Sequence, residues 1–306
     1  MLTSQQHPDF DVIVVGGSYA GLSAALQLAR ARRRVLVVDN GRRRNRFAHN
    51  SHGFLTQDGS KAADIVADAR NQLQAYPNVA WAAETVTSAS VAGEHFHVGF
   101  PDGGCAVGRR LVLATGVADT LPPVEGLAER WGTSVFHCPY CHGYELDAGE
   151  IGVLSGGEMS MHHALLLPDW GRVTFFLNGT FTPDAAQRTA LASRGVNVET
   201  MPVVRIGGVA DVVLADGRTL SMAGLFVLSR TSGASNLAGQ LGCAIEAGPL
   251  GDFVTTDAMK ATTVPGVFSC GDMARAAGNV AFAVADGAMA GVAAHRSLIA
   301  ECNNPA

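Results

Sequence analysis

Cys138-Pro139-Tyr140-Cys141-His142-Gly143-Tyr144-Glu145 is the stretch of this 306-residue chain whose residue types and spacing can do chemistry. Two thiols three positions apart can close a small disulfide ring. A neighbouring cation or helix N-terminus lowers a thiol pKa and supplies the thiolate that exchange requires. His142, and also His137, are placed by sequence to carry protons near neutral pH. Three other readings compete. A structural zinc wants four ligands, usually two such pairs, whereas Cys105, Cys243, Cys270 and Cys302 are solitary. Cys-x-x-Cys-His also attaches c-type haem, usually after export, and residues 1–11 lack the basic-then-apolar pattern of an export signal. A reduced, buried pair without a role is the plainest alternative. No metal centre is expected.

The surrounding elements repeat a nucleotide-binding plan. Phe10-Asp11-Val12-Ile13-Val14-Val15 is a short apolar run, broken by Gly16-Gly17-Ser18-Tyr19-Ala20-Gly21. Apolar residues then recur at helical spacing from Leu22 to Arg30. Val35-Leu36-Val37-Val38 reads as a strand buried on both faces, and Asp39 ends it. In such an opening the first glycine makes the turn, the second lets pyrophosphate approach and the third lets helix and strand pack. Gly16 and Gly21 fill the first and third places. Ser18 stands at the second, where its backbone N–H still donates and its hydroxyl adds a donor. Asp39, about 20 residues on, sits where a carboxylate binds ribose hydroxyls.

A second such unit begins at Ile151-Gly152-Val153-Leu154, turns at Ser155-Gly156-Gly157, and runs through a helical stretch over 159–167 to the strand Val173-Thr174-Phe175-Phe176-Leu177. Leu111-Val112-Leu113-Ala114-Thr115-Gly116 is another buried strand ending in a glycine turn, and Leu121-Pro122-Pro123 reads as a linker. Val267-Phe268-Ser269-Cys270-Gly271-Asp272 precedes an Ala-rich helix from about Asn279 to Ile299. The expected fold class is α/β, with two Rossmann-like dinucleotide-binding domains, the second inserted into the first. The first domain takes 1–120 and 244–306, and the central domain with the Cys pair takes 121–243.

Length agrees, since 306 residues make about two domains at roughly 150 each. Apolar residues at 47% and charged residues at 16% exclude a disordered chain. A formal charge of −5 gives no argument for nucleic acid or an anionic membrane, and no apolar run approaches the ~20 residues of a membrane span. Eight Arg fall between Arg30 and Arg46; in an acidic chain they read as a solvated face beside the adenosine end of a cofactor. Six Cys are too sparse for a disulfide scaffold. A soluble, cytoplasmic protein is expected, with no nucleic-acid or membrane partner.

Together these residues resemble the low-molecular-weight thioredoxin reductase-like flavoproteins along nearly the whole chain. The matching pieces are Val14-Val15-Gly16-Gly17-Ser18-Tyr19-Ala20-Gly21-Leu22, Ala114-Thr115-Gly116, the Cys138–Cys141 pair, and Cys270-Gly271-Asp272 before Ala285-Asp286-Gly287. The resemblance implies FAD held by Gly16, Ser18, Tyr19, Ala20 and Gly21, by Asp39 and Asn40, and by Gly116, Gly271 and Asp272, with Asp272 on the ribityl chain. It implies that Asn279, Val280 and Ala281 present helix N-terminal amides to the flavin ring. It also implies that Cys141 faces the flavin, that Cys138 exchanges with substrate, and that the protein is a homodimer. Thioredoxin reductases carry an acidic residue right after their Cys pair, where this chain has His142. The Cys-Pro-Tyr-Cys-His-Gly-Tyr-Glu version resembles the branch of natural-product dithiol oxidases of the gliotoxin, holomycin and romidepsin type.

The second glycine turn bears on the choice. Ser155 replaces its first glycine, and Glu158 puts a negative charge where pyrophosphate would approach a helix N-terminus. Asn178 ends its second strand where NAD wants a carboxylate and NADP an Arg, with Arg172 and Arg188 out of register. His162 and His163, on the helix that follows, read as surface or packing residues. This is a degenerate NAD(P)H site. The expected function is an FAD-dependent dithiol oxidase: a small-molecule dithiol is closed to a disulfide through Cys138 and Cys141, with His142 as base and His137 assisting. Electrons pass to flavin and then to oxygen, releasing hydrogen peroxide. Specificity for the dithiol is expected in loops such as His49-Asn50-Ser51-His52-Gly53-Phe54. The alternatives are an NAD(P)H-dependent disulfide reductase and a flavin redox sensor without turnover.

Overall fold

The computed structural model describes residues 9–302, so residues 1–8 of the stretch read for an export signal lie outside it. Uninterrupted apolar runs make the strands of the first unit. β1 (Phe10–Val15) and β2 (Val35–Val38) pair in parallel and are joined by helix α1 (Tyr19–Arg30). Val12, Ile13, Val14, Val35 and Val37 expose no surface, because parallel strands with packing on both faces need no polar alternation. β3 (Val79–Ala82) extends the sheet beyond β2. β4 (Ser88–Ala92) and β5 (His95–Gly99) form a hairpin whose second strand pairs with the start of β6 (Cys105–Leu113). The rest of β6 lies parallel to β1.

The chain then builds a second unit. β7 (Val135–Phe136) leads into a four-residue helix, α2 (Pro139–His142). β8 (Glu150–Leu154), helix α3 (Met161–Leu166), β9 (Arg172–Phe176), β10 (Asn197–Glu199) and β11 (Gly224–Val227) follow. The five strands pair in parallel in the order β7-β11-β8-β9-β10, around a core that includes Ile151, Phe175 and Phe226. The expected helix over 159–167 is broken into a 3-10 turn at Glu158–Ser160, α3, and a 3-10 turn at Leu167–Asp169. Pro168, which lacks an N–H, sits in that last turn.

Returning to the first unit, β12 (Val267–Ser269) pairs with the end of β6, and α4 (Val280–Cys302) packs on α1. A Cβ at Gly287 would lie 2.0 Å from the Ala20 carbonyl oxygen, and one at Gly291 2.5 Å from that of Ala24. Glycine at both places lets the helices touch backbone to backbone. Two Rossmann-like units are present, the second inserted into the first. Their limits differ from the expected ones: the first comprises the chain to Arg44, Ala63–Ala118 and the chain from Thr231, the second Asn45–Ala62 and Asp119–Arg230. Residues 231–243 stay with the first unit because Leu237, Ala238, Leu241 and Cys243 share a core with Ile13 and Leu113. Among the described residues no helix is long and apolar enough to cross a membrane.

One core residue of the second unit is titratable. His163 on α3 is 4% exposed, packs edge-on against Phe226, and has its Nδ1 buried without a hydrogen-bond partner. Burial, and secondarily His162, push its pKa down to about 4 against a hydrogen bond to the His137 backbone. The unfolded chain therefore takes up a proton below about pH 6.5 that the folded chain refuses. The stabilising contribution is complete above that pH and is lost as pH falls toward 4, at about 2 kcal/mol by pH 5. Thermal unfolding between pH 7.5 and 5 should show at least this slope, and His163→Gln should make it shallower by that amount.

Candidate active site

The two cysteines sit where β7 passes into α2, and their sulfurs are joined. Cys138 has extended backbone (φ −115°, ψ 109°) and caps the helix, with Pro139 at its first position, where a missing N–H costs nothing. The Cys141 N–H donates to the Cys138 carbonyl oxygen at 3.2 Å, and the Gly143 N–H to that of Pro139 at 2.7 Å. One helical turn thus sets the Cα atoms 5.3 Å apart, within disulfide reach. Both cysteines are half-buried, while Tyr140 between them and Tyr144 beyond are 72% and 85% exposed. Tyr140 stands edge-on to Trp170.

His142 stacks flat on Phe136 at 4.3 Å between centroids, and Phe136 in turn packs on Phe226. Burial first, and then the nearby His52, push the His142 pKa down to about 4. Its ring is neutral at pH 7. His137 lies 5.7 Å from the Trp131 ring. Segment 45–62 joins this unit and contributes His52, whose Nδ1 is 3.2 Å from Glu145 Oε1. The sequence places His52 in a candidate specificity loop and Glu145 at the end of the Cys stretch, but only the fold brings the two together. Among the described residues, no His, Cys, Asp and Glu side chains cluster to hold a metal ion.

In the first unit, the residues expected to hold FAD gather at the C-terminal edge of the parallel sheet, where dinucleotides bind. Gly16 has φ +104°, and a Cβ on it would lie 2.3 Å from the Ala114 carbonyl oxygen; one on Gly21 would lie 1.7 Å from that of Gly16. No side chain other than hydrogen fits either position. Gly17, absent from the sequence-based site, is crowded by side chains instead, with Trp81 and Asp39 atoms 2.5 and 2.7 Å from where a Cβ would stand. Ser18 caps α1 without using its hydroxyl, leaving that donor free of the helix. Tyr19 and Ala20 open α1, and Asp39 at the end of β2 accepts from the Gly17 N–H at 3.0 Å. Asn40 accepts from the Arg42 N–H. Gly116 follows β6 in left-handed conformation, as does Gly271 after β12, whose Cβ would press on Ala20. Asp272 is ion-paired with Arg44 at 2.8 Å, a partner missed within the basic cluster. Asn279 Oδ1 accepts from the Phe282 N–H at 2.8 Å, capping α4, which starts at Val280 and Ala281. Val280 and Ala281 have no helical acceptor for their N–H groups. The cradle, the free hydroxyl and the carboxylate fit FAD.

The corresponding turn of the second unit is filled from within. The Gly156 N–H donates to Ser160 Oγ at 3.0 Å and the Gly157 N–H to Ser155 Oγ at 3.2 Å. Ser155 Oγ also pairs with Thr180 Oγ1 at 2.6 Å. Glu158 accepts from Gln187, and Asn178 Oδ1 accepts from the Val203 N–H. Nearby guanidinium groups are engaged as well: Arg172 with Glu150, Arg188 with the Pro183 carbonyl, and Arg218 with Glu199 and Asp216.

The model of the pyridine nucleotide-disulphide oxidoreductase family matches residues 10–290. Thioredoxin reductase sirT of Leptosphaeria maculans is 34% identical over 304 residues, 92% of each chain. A solved oxidoreductase structure from Agrobacterium tumefaciens is 56% identical with a TM-score of 0.93, covering 95% of this chain and 98% of that one. The crystal structure of HlmI is 35% identical with a TM-score of 0.90, covering 96% and 93%. The chain belongs to the pyridine nucleotide-disulphide oxidoreductase family and is a thioredoxin reductase-like, FAD-dependent disulfide oxidoreductase.

Proposed function

We propose that the chain oxidises a small-molecule dithiol to its disulfide, with Cys138 and Cys141 as the exchange pair. The observation that carries this reading is a half-exposed disulfide in a unit whose nicotinamide-type turn is occupied by its own Ser155 and Ser160. One substrate thiol gives its proton to His142, assisted by His137, and the thiolate attacks the Cys138 sulfur. Cys141 leaves as thiolate, and that new negative charge favours the imidazolium beside it. The second substrate thiol then attacks the substrate sulfur of the mixed disulfide as its thiolate, and the released Cys138 takes up the proton that thiol gives up. Two electrons have moved from substrate to the Cys pair, and one disulfide has replaced another. FAD, when bound, would supply the acceptor for those electrons and the means of reducing dioxygen to hydrogen peroxide. Gly16, Ser18, Gly21, Asp39 and Asp272 would hold it, and the first amides of α4 would favour negative charge at their end of the helix.

The exposed rings of Tyr140 and Tyr144 beside the disulfide support a compact organic dithiol as substrate. Anaerobic titration of the yellow holoprotein separates this from a reductase. A dithiol should bleach the flavin, NADPH and NADH should not, and air should restore the colour with one hydrogen peroxide per dithiol. Rapid bleaching by NADPH would establish the reductase instead. Cys138→Ser and Cys141→Ser should each lower dithiol turnover on the order of 10³-fold or more, with FAD content unchanged; full activity in either would overturn the scheme.

We also propose that the protein is a homodimer. Phe282, Ala285, Met289, Val292, Arg296 and Ile299 are exposed along α4 at alternating three- and four-residue spacing. That spacing, on the face opposite α1, supports a two-helix pairing. Met289→Glu should lower the sedimenting species from dimer to monomer, and an unchanged dimer would exclude this face.

A further inference from the structure

Among the described residues Asp286 is the only carboxylate that the fold buries, at 5% exposure. It stands on α4 beside Gly287, where that helix meets the Ala20 backbone. A buried carboxylate needs partners, and two cations close on this one. Lys260 Nζ lies 2.9 Å from Oδ1, and Arg275 Nε lies 2.8 Å from Oδ2. The cations come from different places. Lys260 belongs to a loop laid along β12, where the Ser269 N–H donates to its carbonyl oxygen at 3.0 Å. Arg275 opens the connection 275–279 between the 3-10 turn Gly271–Ala274 and α4, and its guanidinium also covers the Phe282 ring at 4.5 Å. The connection has no regular structure, and Ala276 and Ala277 are exposed. Its far end is nevertheless placed closely. A Cβ at Gly278 would stand 2.2 Å from Asp272 Oδ1, and the other Asp272 oxygen pairs with Arg44. Asn279 then caps α4 through the Phe282 N–H.

Resting on the FAD site proposed above, we infer that Arg275, anchored by Asp286, is a positioning residue for that cofactor. The pair fixes the start of connection 275–279, and with it where Gly278 stands against Asp272 and where α4 begins. Lys260 has a different part. It shares the charge of Asp286 but lies outside the connection, so its removal takes away one positive charge without freeing residues 275–279. Charge and position are thereby separable.

The test compares variants of the full-chain holoprotein in a Cys138→Ser, Cys141→Ser background, where electrons go to the flavin and not to the Cys pair. FAD released on dilution, read by recovered flavin fluorescence, gives its dissociation constant, and equilibration with a reference dye gives the flavin potential. Arg275→Met should weaken FAD binding about tenfold. It should also move the potential to more negative values, because the first amides of α4, which favour negative charge, are no longer held in place. Arg275→Lys, which keeps a cation for Asp286, should recover most of both. Lys260→Met should leave both close to the parent values. Asp286 retains one cation in Arg275→Met and in Lys260→Met, so neither orphans the carboxylate. Parent-like affinity and potential in Arg275→Met would overturn the inference. Equal losses in Lys260→Met and Arg275→Met would overturn it too, since charge alone would then account for both. Asp272→Ala tells the two readings apart. Weakened FAD binding in Asp272→Ala beside parent-like binding in Arg275→Met defeats the inference and spares the FAD site, whereas parent-like binding in Asp272→Ala defeats the site and the inference with it.

Discussion

Gly21 passes so near Gly16 that one methyl group between them would collide with a carbonyl oxygen. That approach seats α1 on the end of β1, and the rest of the cofactor edge is hung from α1. Gly287 and Gly291 bring α4 onto its Ala20 and Ala24 backbone, and Gly271 brings the end of β12 against Ala20. Small residues thus act as a sequence of close contacts that fixes where Ser18, Asp272 and the start of α4 can stand. A bulkier residue at any one of them moves the helix, and with it the entire edge.

The two glycine turns show how one plan diverges under different demands. In the first, glycine is required by space, since backbone atoms stand where side chains would be. In the second, nothing lies within 4 Å of a Cβ at Gly156 or Gly157, and Gly157 is needed only for its φ of +132°. The Gly17 N–H of the first turn goes to the Asp39 carboxylate, whereas the Gly156 and Gly157 N–H groups of the second go to serine hydroxyls of the same loop.

Local signals survived into the fold wherever the cause was local. Phe10–Val15 and Val35–Val38 are strands with the limits their apolar runs indicate, and three-residue spacing alone brings Cys138 within reach of Cys141. Asp39, by contrast, serves the Gly17 N–H in addition to its expected place at a ribose. Pairings between polar residues far apart in the chain were illegible. His52 with Glu145 and Arg44 with Asp272 leave no periodic trace, because only the completed fold makes them neighbours. The burial of His163 is hidden for a related reason: α3 has six residues, too few to display an amphipathic rhythm. Residues 231–243 looked like part of the central domain because the apolar contacts that claim them, to Ile13 and Leu113, are equally remote.

The interleaving of the two units orders the protein's birth. β6 ends at Leu113, but the strand that pairs with its last residues starts at Val267, and α4 comes later still. Domains fold as units during synthesis, N-terminal parts first. Here the five-stranded sheet of the inserted unit is complete by Val227, whereas the unit begun first lacks β12 and α4 until residues 267–302 are made. All of the chain that makes the disulfide-bearing unit therefore precedes β12 and α4, the last elements of the cofactor cradle.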